Sequence, residues 1–327
     1  MLNRRSLLAA PALLAAPAIA HAQGAAWPTR TPVRLIAQFP PGGLVDTITR
    51  LVAPPLSQAL GQNVVVENRA GAGGVIGTDY VAKQPADGYT FLMTHASVMV
   101  YSAATLPSLP FDPINDFTHL AQLVEAASVL LVRGDSPIRS FQDYLAAART
   151  RPTRYGSSGI GSAPHMLGAM LGGLANLPQL DHAPYAGSAP AMRDLLGGHI
   201  ESLIDPITTN VEAMRNGTLR ALAISTPQRL AAFPNVPTFS ELGFPSLVQT
   251  QWVGISGPRN LPAPIAERMI REMPGIMQNA AIVQRTTELQ TMPRSPIPTG
   301  TDFIDIIRTE LAAAREVARR YSIQATS

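Results

Sequence analysis

The chain contains no cysteine. Thiolate nucleophiles, thiolate metal sites, iron–sulfur clusters and disulfides are all excluded, so stability has to come from packing. Charge is sparse as well, with Asp, Glu, Lys and Arg making up 14% of the residues and no basic run among them. A nucleic-acid partner is therefore not expected, because it needs a clustered positive surface. The six histidines are scattered, and none has the H-x-x-x-H or H-E-x-x-H spacing of a zinc site. No G-K-[ST] phosphate loop and no G-x-S-x-G nucleophile elbow occurs. Past residue 22, no uninterrupted apolar stretch is long enough to cross a bilayer. The expectation is a soluble, cofactor-free binding protein rather than an enzyme.

What the N-terminus does have is an export signal. Arg4-Arg5 precede an apolar run from Leu7 to Ile19, and Ala20-His21-Ala22 is a small-x-small ending. Cleavage is expected after Ala22, and the arginine pair is compatible with either the general secretory or the twin-arginine route. Removing 22 of the 327 residues leaves 305, enough for two lobes.

The mature chain is organised around Val33–Asp46, V-R-L-I-A-Q-F-P-P-G-G-L-V-D. A short apolar strand stops at Pro40-Pro41, Gly42-Gly43 turn the backbone, and a helical pattern begins near Leu44. Such a turn leaves main-chain N–H groups open at a positive helix end, which suits an anion. An ordinary βα turn would look the same. A second Gly-rich strand-to-helix turn, E-N-R-A-G-A-G-G-V-I-G, follows Val64–Val66. A third strand, Thr90–Thr94, runs into His95-Ala96-Ser97. Strands alternating with helices predict a doubly wound, mainly parallel sheet with ligands beyond the strand ends. The first helix is expected over Leu44–Ser57, kinked or restarted by Pro54-Pro55.

A second lobe is expected to begin with an apolar strand, Ala127–Val132, and a helix over Phe141–Thr150 capped by Ser140. Ser157-Ser158-Gly159-Ile160-Gly161-Ser162 forms a polar glycine loop opening the helix that carries His165. Its donors suit a carboxylate, although a plain capping loop would read alike. Tyr185-Ala186-Gly187-Ser188 precede a helix, and Asp205 closes a strand, where it either meets a ligand or caps Thr208 or Asn210. The chain then returns through Gln251–Ser256, and an amphipathic helix over Thr301–Tyr321 ends it.

F-P-P-G-G-x-x-D, V-V-V-E-N-R-A-G-A-G-G-x-x-G and P-A-D-G-Y-T-F-L-M together resemble the Bug-type periplasmic solute-binding proteins, the extracytoplasmic receptors of tripartite tricarboxylate transporters. The likeness extends over nearly all of the mature chain and thins after residue 272. It implies a two-lobed, type II-like periplasmic-binding-protein fold, α/β, with the ligand cleft at the hinge. Lobe 1 would be residues 23–124 plus 245–327, and lobe 2 residues 125–244, closing like a Venus flytrap. The implied ligand is a small carboxylate and the implied partners are membrane permease subunits, with the receptor acting as a monomer in the periplasm.

The ligand would be held in lobe 1 by Phe39, Pro41, Gly42, Gly43, Asp46, Gly71, Ala72 and Gly74, with Thr94 and Ser97 close by. Ser157, Gly159, Ser162, His165, Tyr185, Gly187 and Asp205 would close over it from lobe 2. A bulky residue at Gly43 or Gly74 is then expected to abolish binding and leave unfolding nearly unchanged. Two other readings stay open at this point: a sensing subunit that signals without transport, and a hydrolase using Ser157.

Overall fold

The computed structural model describes residues 27–320 and Ile323. The signal-peptide and cleavage expectations lie outside those residues. Among the described residues, no helix is long and apolar enough to cross a membrane.

The first parallel unit consists of β1 (Val33–Ala37), α1 (Leu44–Leu60), β2 (Val64–Asn68), α2 (Val75–Ala82) and β3 (Thr90–Leu92). Strand β1 lies between β2 and β3, parallel to both. A π-helical turn over Ser97–Ser102 and the short α3 (Ala103–Thr105) lead into β4 (Phe117–Arg133), a strand of 17 residues. A second parallel unit follows: α4 (Phe141–Thr150), β5 (Thr153–Ser157), α5 (Ala163–Leu174), β6 (Leu180–Pro184), α6 (Ser188–Leu196) and β7 (Ser202–Pro206). Strand β5 pairs in parallel with β6 and with β7. The chain continues through α7 (Val211–Arg215), β8 (Leu219–Ile224), β9 (Thr250–Pro258), α8 (Ala263–Met277), α9 (Ala280–Glu288), β10 (Thr291–Pro293) and α10 (Gly300–Arg320).

The two parallel units are the ones the alternating pattern predicts, but the sheet as a whole is mixed. Long β4 and the returning β9 pair antiparallel with each other, and β7, β8 and β10 join β4 antiparallel too. The expected strand at Ala127–Val132 is only the last part of β4. Its first part, Phe117–Ala127, pairs with β9 in the first half of the molecule, and Ser128–Arg133 pair with β7 and β8 in the second. The crossing anticipated near residue 124 thus runs inside a continuous, paired strand. Bulges between His119 and Ala121 and between Gln122 and Val124 supply the local bend there.

Helix α1 is continuous from Leu44 to Leu60 with Pro54-Pro55 inside it, so the prolines do not restart it. The prolines have no N–H to offer the carbonyls of Arg50 and Leu51, residues that are exposed and half-buried. Gly61 ends the helix in the left-handed region at φ 66°, as a C-terminal glycine does. Ser140 caps α4 with a full capping box, accepting the Asp143 N–H while the Asp143 carboxylate accepts the Ser140 N–H. The larger core centres on Trp252, Phe91, Phe303, Leu35 and Ile36, and a separate cluster of Val129, Leu131, Leu195 and Leu203 fills the second half.

Candidate functional site

Two helices point their N-termini into one narrow cavity from opposite halves of the molecule. The first is α1, whose N-cap Gly43 sits at φ −80°, ψ 173° and offers no side chain to the helix end. The second is α6, whose N-cap Gly187 sits at φ 110° and is likewise bare. Each leaves N–H groups without an intrahelical acceptor, together with a positive dipole end. Gly43, Leu44 and Val45 from one side and Gly187, Ser188 and Ala189 from the other line a cavity of ≈ 30 Å³. That is room for about two oxygen-sized atoms. Among the described residues, no lysine or arginine lines it.

His95 completes the lining, and its chemistry is fixed by its neighbours. Its Nδ1 accepts the Ser97 N–H at 3.2 Å, so the proton of the neutral ring sits on Nε2. Nε2 is buried and has no partner among the described residues. Burial pushes the ring down to about 3, which keeps it neutral. Phe39 packs edge-to-face on the imidazole with centroids 5.5 Å apart. The cavity therefore offers neutral main-chain donors from two directions, with the neutral His95 ring in its wall, an arrangement that suits an anion without a buried countercharge.

Two buried carboxylates hold this arrangement. Asp46 accepts the Gly42 N–H at 3.0 Å, Asn68 Nδ2 at 2.8 Å and the Arg50 guanidinium. Burial opposes its ionisation, but these partners outweigh it and hold the carboxyl below its ordinary range. Asp205 accepts the Ser188 hydroxyl at 2.7 Å, Asn210 Nδ2 at 2.9 Å and the Thr209 hydroxyl at 2.6 Å. With no cation nearby, burial pushes Asp205 up to about 6 despite those bonds. Asp46 and Asp205 thus shape the α1 and α6 entrances rather than line the cavity.

A wider cavity of ≈ 500 Å³ adjoins the first and shares Phe39, Pro40, Ser158 and Gly187 with it. Its remaining walls are the Ala70–Val75 loop, Leu106, Ser108, Leu109, Gly159, Ile160 and Pro184–Ala186. The two halves touch around it. Ser97 Oγ accepts the Ala163 N–H at 3.2 Å, and Ser102 Oγ donates to the Gly161 carbonyl at 3.2 Å. A Cβ at Gly187 would lie 3.2 Å from the Pro40 ring, and one at Gly73 would lie 3.0 Å from the Ile160 carbonyl. Glycine is what permits this approach.

The residues singled out from the sequence divide by role. Phe39, Pro41, Gly43 and Gly187 line the narrow cavity, and Phe39, Gly71, Ala72, Gly74, Gly159, Tyr185 and Gly187 line the wide one. Gly42, Asp46, Thr94, Ser97, Ser157, Ser162, His165 and Asp205 line neither. Gly42 donates to Asp46, Thr94 accepts the Gly254 N–H through its carbonyl, and Ser97 makes the contact to Ala163. Ser162 caps α5 by accepting the His165 N–H, and His165 Nδ1 accepts the Gly161 N–H.

Gly74 is structural as well, because at φ 100° a Cβ would meet Val98 Cγ2 at 2.7 Å. The expectation that a bulky residue there leaves unfolding unchanged is therefore corrected. His95, Ser158, Ser188 and Gln251 were not anticipated as lining. The signal for Ser188 was available in the sequence, since it follows a glycine at a helix start.

Ser157 does have a histidine partner, with its hydroxyl 2.7 Å from His182 Nε2. His182 stacks on His165 at 4.1 Å, and burial pushes both rings down, to about 3 and about 4. Among the described residues, no carboxylate bonds the His182 ring to orient it as a base. Ser157 is buried outside both cavities, so the pair braces the loop.

Comparison with known proteins places the chain in a family. Residues 48–312 match the model of the tripartite tricarboxylate transporter family receptor. The chain is 36% identical over 261 residues to Protein BugT of Bordetella pertussis, covering 79% of each chain. Among solved structures, Rpa4515 of R. palustris with adipate superposes at a TM-score of 0.85, with 30% identity and 91% and 99% coverage of the two chains. MatC from Rhodopseudomonas palustris with bound malate gives 0.83, 27% identity, and 89% and 99% coverage. The matching family is one of transporter receptors rather than enzymes. The chain belongs to the family of tripartite tricarboxylate transporter receptors.

Proposed function

We propose that this protein is an exported receptor that captures a small carboxylate between its two halves and hands it to membrane permease subunits. The observation that carries the reading is the convergence of two uncapped helix N-termini on one cavity that His95 also lines and whose described lining holds no lysine or arginine. A carboxylate placed there would accept from α1 on one side and α6 on the other, and so would hold the halves together. The lobes in this reading are residues 23–124 with 245–327, and residues 125–244. They would open and close as a monomer in the periplasm after loss of the first 22 residues. Malate in one relative and adipate in another are consistent with a carboxylate cargo.

The test is thermal unfolding of the mature chain against a panel of carboxylates and their neutral amides. A ligand at a hundred times its Kd adds about 2.7 kcal/mol, a shift of several degrees for a chain of this length. Stabilisation by acids and not by the matching amides is the expected result. Stabilisation by amides alone would overturn the anion site.

A further inference from the structure

We infer that capturing the carboxylate draws a proton from solvent onto Asp205, coupled to the cargo through the Ser188 hydroxyl. The inference rests on the carboxylate reading above and deepens it by naming the proton as a second ligand of the same site.

The two helix entrances differ in charge. Behind α1, Asp46 is ion-paired with Arg50 at 3.0 Å and also accepts from Gly42 and Asn68. Behind α6, Asp205 is fully buried and accepts from neutral donors, Ser188 on Oδ1 and Thr209 and Asn210 on Oδ2. A carboxylate in the narrow cavity thus meets a compensated charge on one side and an uncompensated one on the other. Two buried like charges without a cation are costly, and a proton on one of them removes the cost. Asp205 is the one able to take it, since burial already holds its carboxyl up at about 6. Asp46, against the pull of burial, is held below its ordinary range by Arg50, Gly42 and Asn68.

Ser188 makes the coupling specific. Its residue lines the narrow cavity, and its hydroxyl donates to Asp205 Oδ1 at 2.7 Å. While Asp205 is ionised, that hydroxyl proton is committed to it. Once Oδ1 carries a proton, the acid O–H donates to Ser188 Oγ, and the Ser188 hydroxyl turns to give its own proton to the cargo carboxylate. The charged and titratable groups on the elements packed against β7 are occupied elsewhere or exposed. Glu125 and Arg133 on β4 pair with Arg294 and Asp135, and Glu212 on α7 pairs with Arg215. On β5, Arg154 and Tyr155 donate to the carbonyls of His199 and His165, and His165 Nδ1 on α5 accepts the Gly161 N–H. On α6, Asp194 accepts from Tyr185 and Arg193 is exposed. Across the cavity, burial keeps the His95 ring neutral.

The experiment is titration calorimetry of the mature chain with acetate, 3-phenylpropionate, malate and adipate. Repeating it in buffers of different ionisation enthalpy reads the protons taken up per ligand bound. The result expected is about half a proton near pH 6.5, with affinity about threefold tighter there than near pH 8, the linkage for a shift of about one unit in Asp205. Asp205→Asn puts an amide N–H where the protonated acid would donate. It should bind near pH 8 at least as tightly as the wild type does near pH 6.5, with no proton uptake. Glu310, which burial raises to about 7, bonds Trp252 and lines neither cavity, so Glu310→Gln should keep the uptake. The wild type and Glu310→Gln decide the matter if Asp205→Asn does not fold. Carboxylate binding without proton uptake overturns the coupling and leaves the receptor reading standing, as does uptake lost in Glu310→Gln. If none of these carboxylates binds, that reading falls and the coupling with it.

Discussion

His95 shows what a single side chain can do in a site with no cation. Its Nδ1 is occupied by the Ser97 N–H and its Nε2–H faces no protein acceptor. A buried donor left alone costs stability, and such a cost is retained where a ligand supplies the acceptor. His95→Asn separates the two ring functions, because the amide oxygen can still accept the Ser97 N–H while the distal donor is gone. Carboxylate affinity is expected to fall about 10- to 100-fold, the worth of one hydrogen bond to a charged group, with the melting temperature of the free protein nearly unchanged. Calorimetry and a thermal melt check both halves, and unchanged affinity would remove His95 from the site. Sequence reasoning passed over it for a definite reason. Strand β3 stops at Leu92, two residues short of the expected end, and His95 instead forms an isolated antiparallel bridge with Val253 before the helical turn begins. The sequence places His95 beside Thr94 and Ser97 at a strand end, but does not show which of the three reaches the cavity wall.

At the scale of elements, the two helix entrances were legible where glycine precedes a helical pattern, and β4 was not. A long strand that serves two sheet halves has no composition break at the crossing. Only its most apolar part, Ala127–Val132, stands out against polar positions such as Gln122 and Glu125. The proline pair in α1 allowed either a kink or a restart by sequence, and the structure removes the restart. The bare N-cap at α1 gives a sharper prediction. Gly43 has an extended φ that any residue adopts, and a Cβ there would meet nothing closer than the Pro40 carbonyl at 3.7 Å. Gly43→Ser therefore fits, and its hydroxyl would accept an N–H of the first turn. Such a cap competes with the ligand for the same donor. The free protein should melt at the same temperature or slightly higher, and carboxylate affinity should drop about tenfold. Gly74→Ala is the contrast. Its left-handed φ and the 2.7 Å approach to Val98 Cγ2 should destabilise folding by roughly 1–3 kcal/mol, measured by chemical denaturation. Equal stabilities for the two variants would contradict this division of roles.

For the whole molecule, the buried titratable groups set the response to acid. His95, His119, His165 and His182 are held neutral chiefly by burial, with folded values of about 3, 4, 4 and 3 against an ordinary 6.5. Between those values and 6.5 the unfolded chain binds protons that the folded chain refuses. Stability from these four is therefore present at neutral pH and lost as pH falls below 6.5. Two carboxyls oppose the trend. Burial raises Asp205 to about 6 and Glu310 to about 7, and the folded state takes up their protons first, which stabilises it on acidification. In the window near pH 5, four protons favour the unfolded state and two the folded. The net difference of two predicts a loss of about 2.7 kcal/mol per pH unit. Melting temperature measured from pH 7 to pH 4.5 should accordingly fall, and steepen below pH 6. Asp205→Asn should steepen it further, because one of the two opposing protons is then removed. A flat profile would mean that the histidines charge without cost, which their burial in a cysteine-free core does not allow.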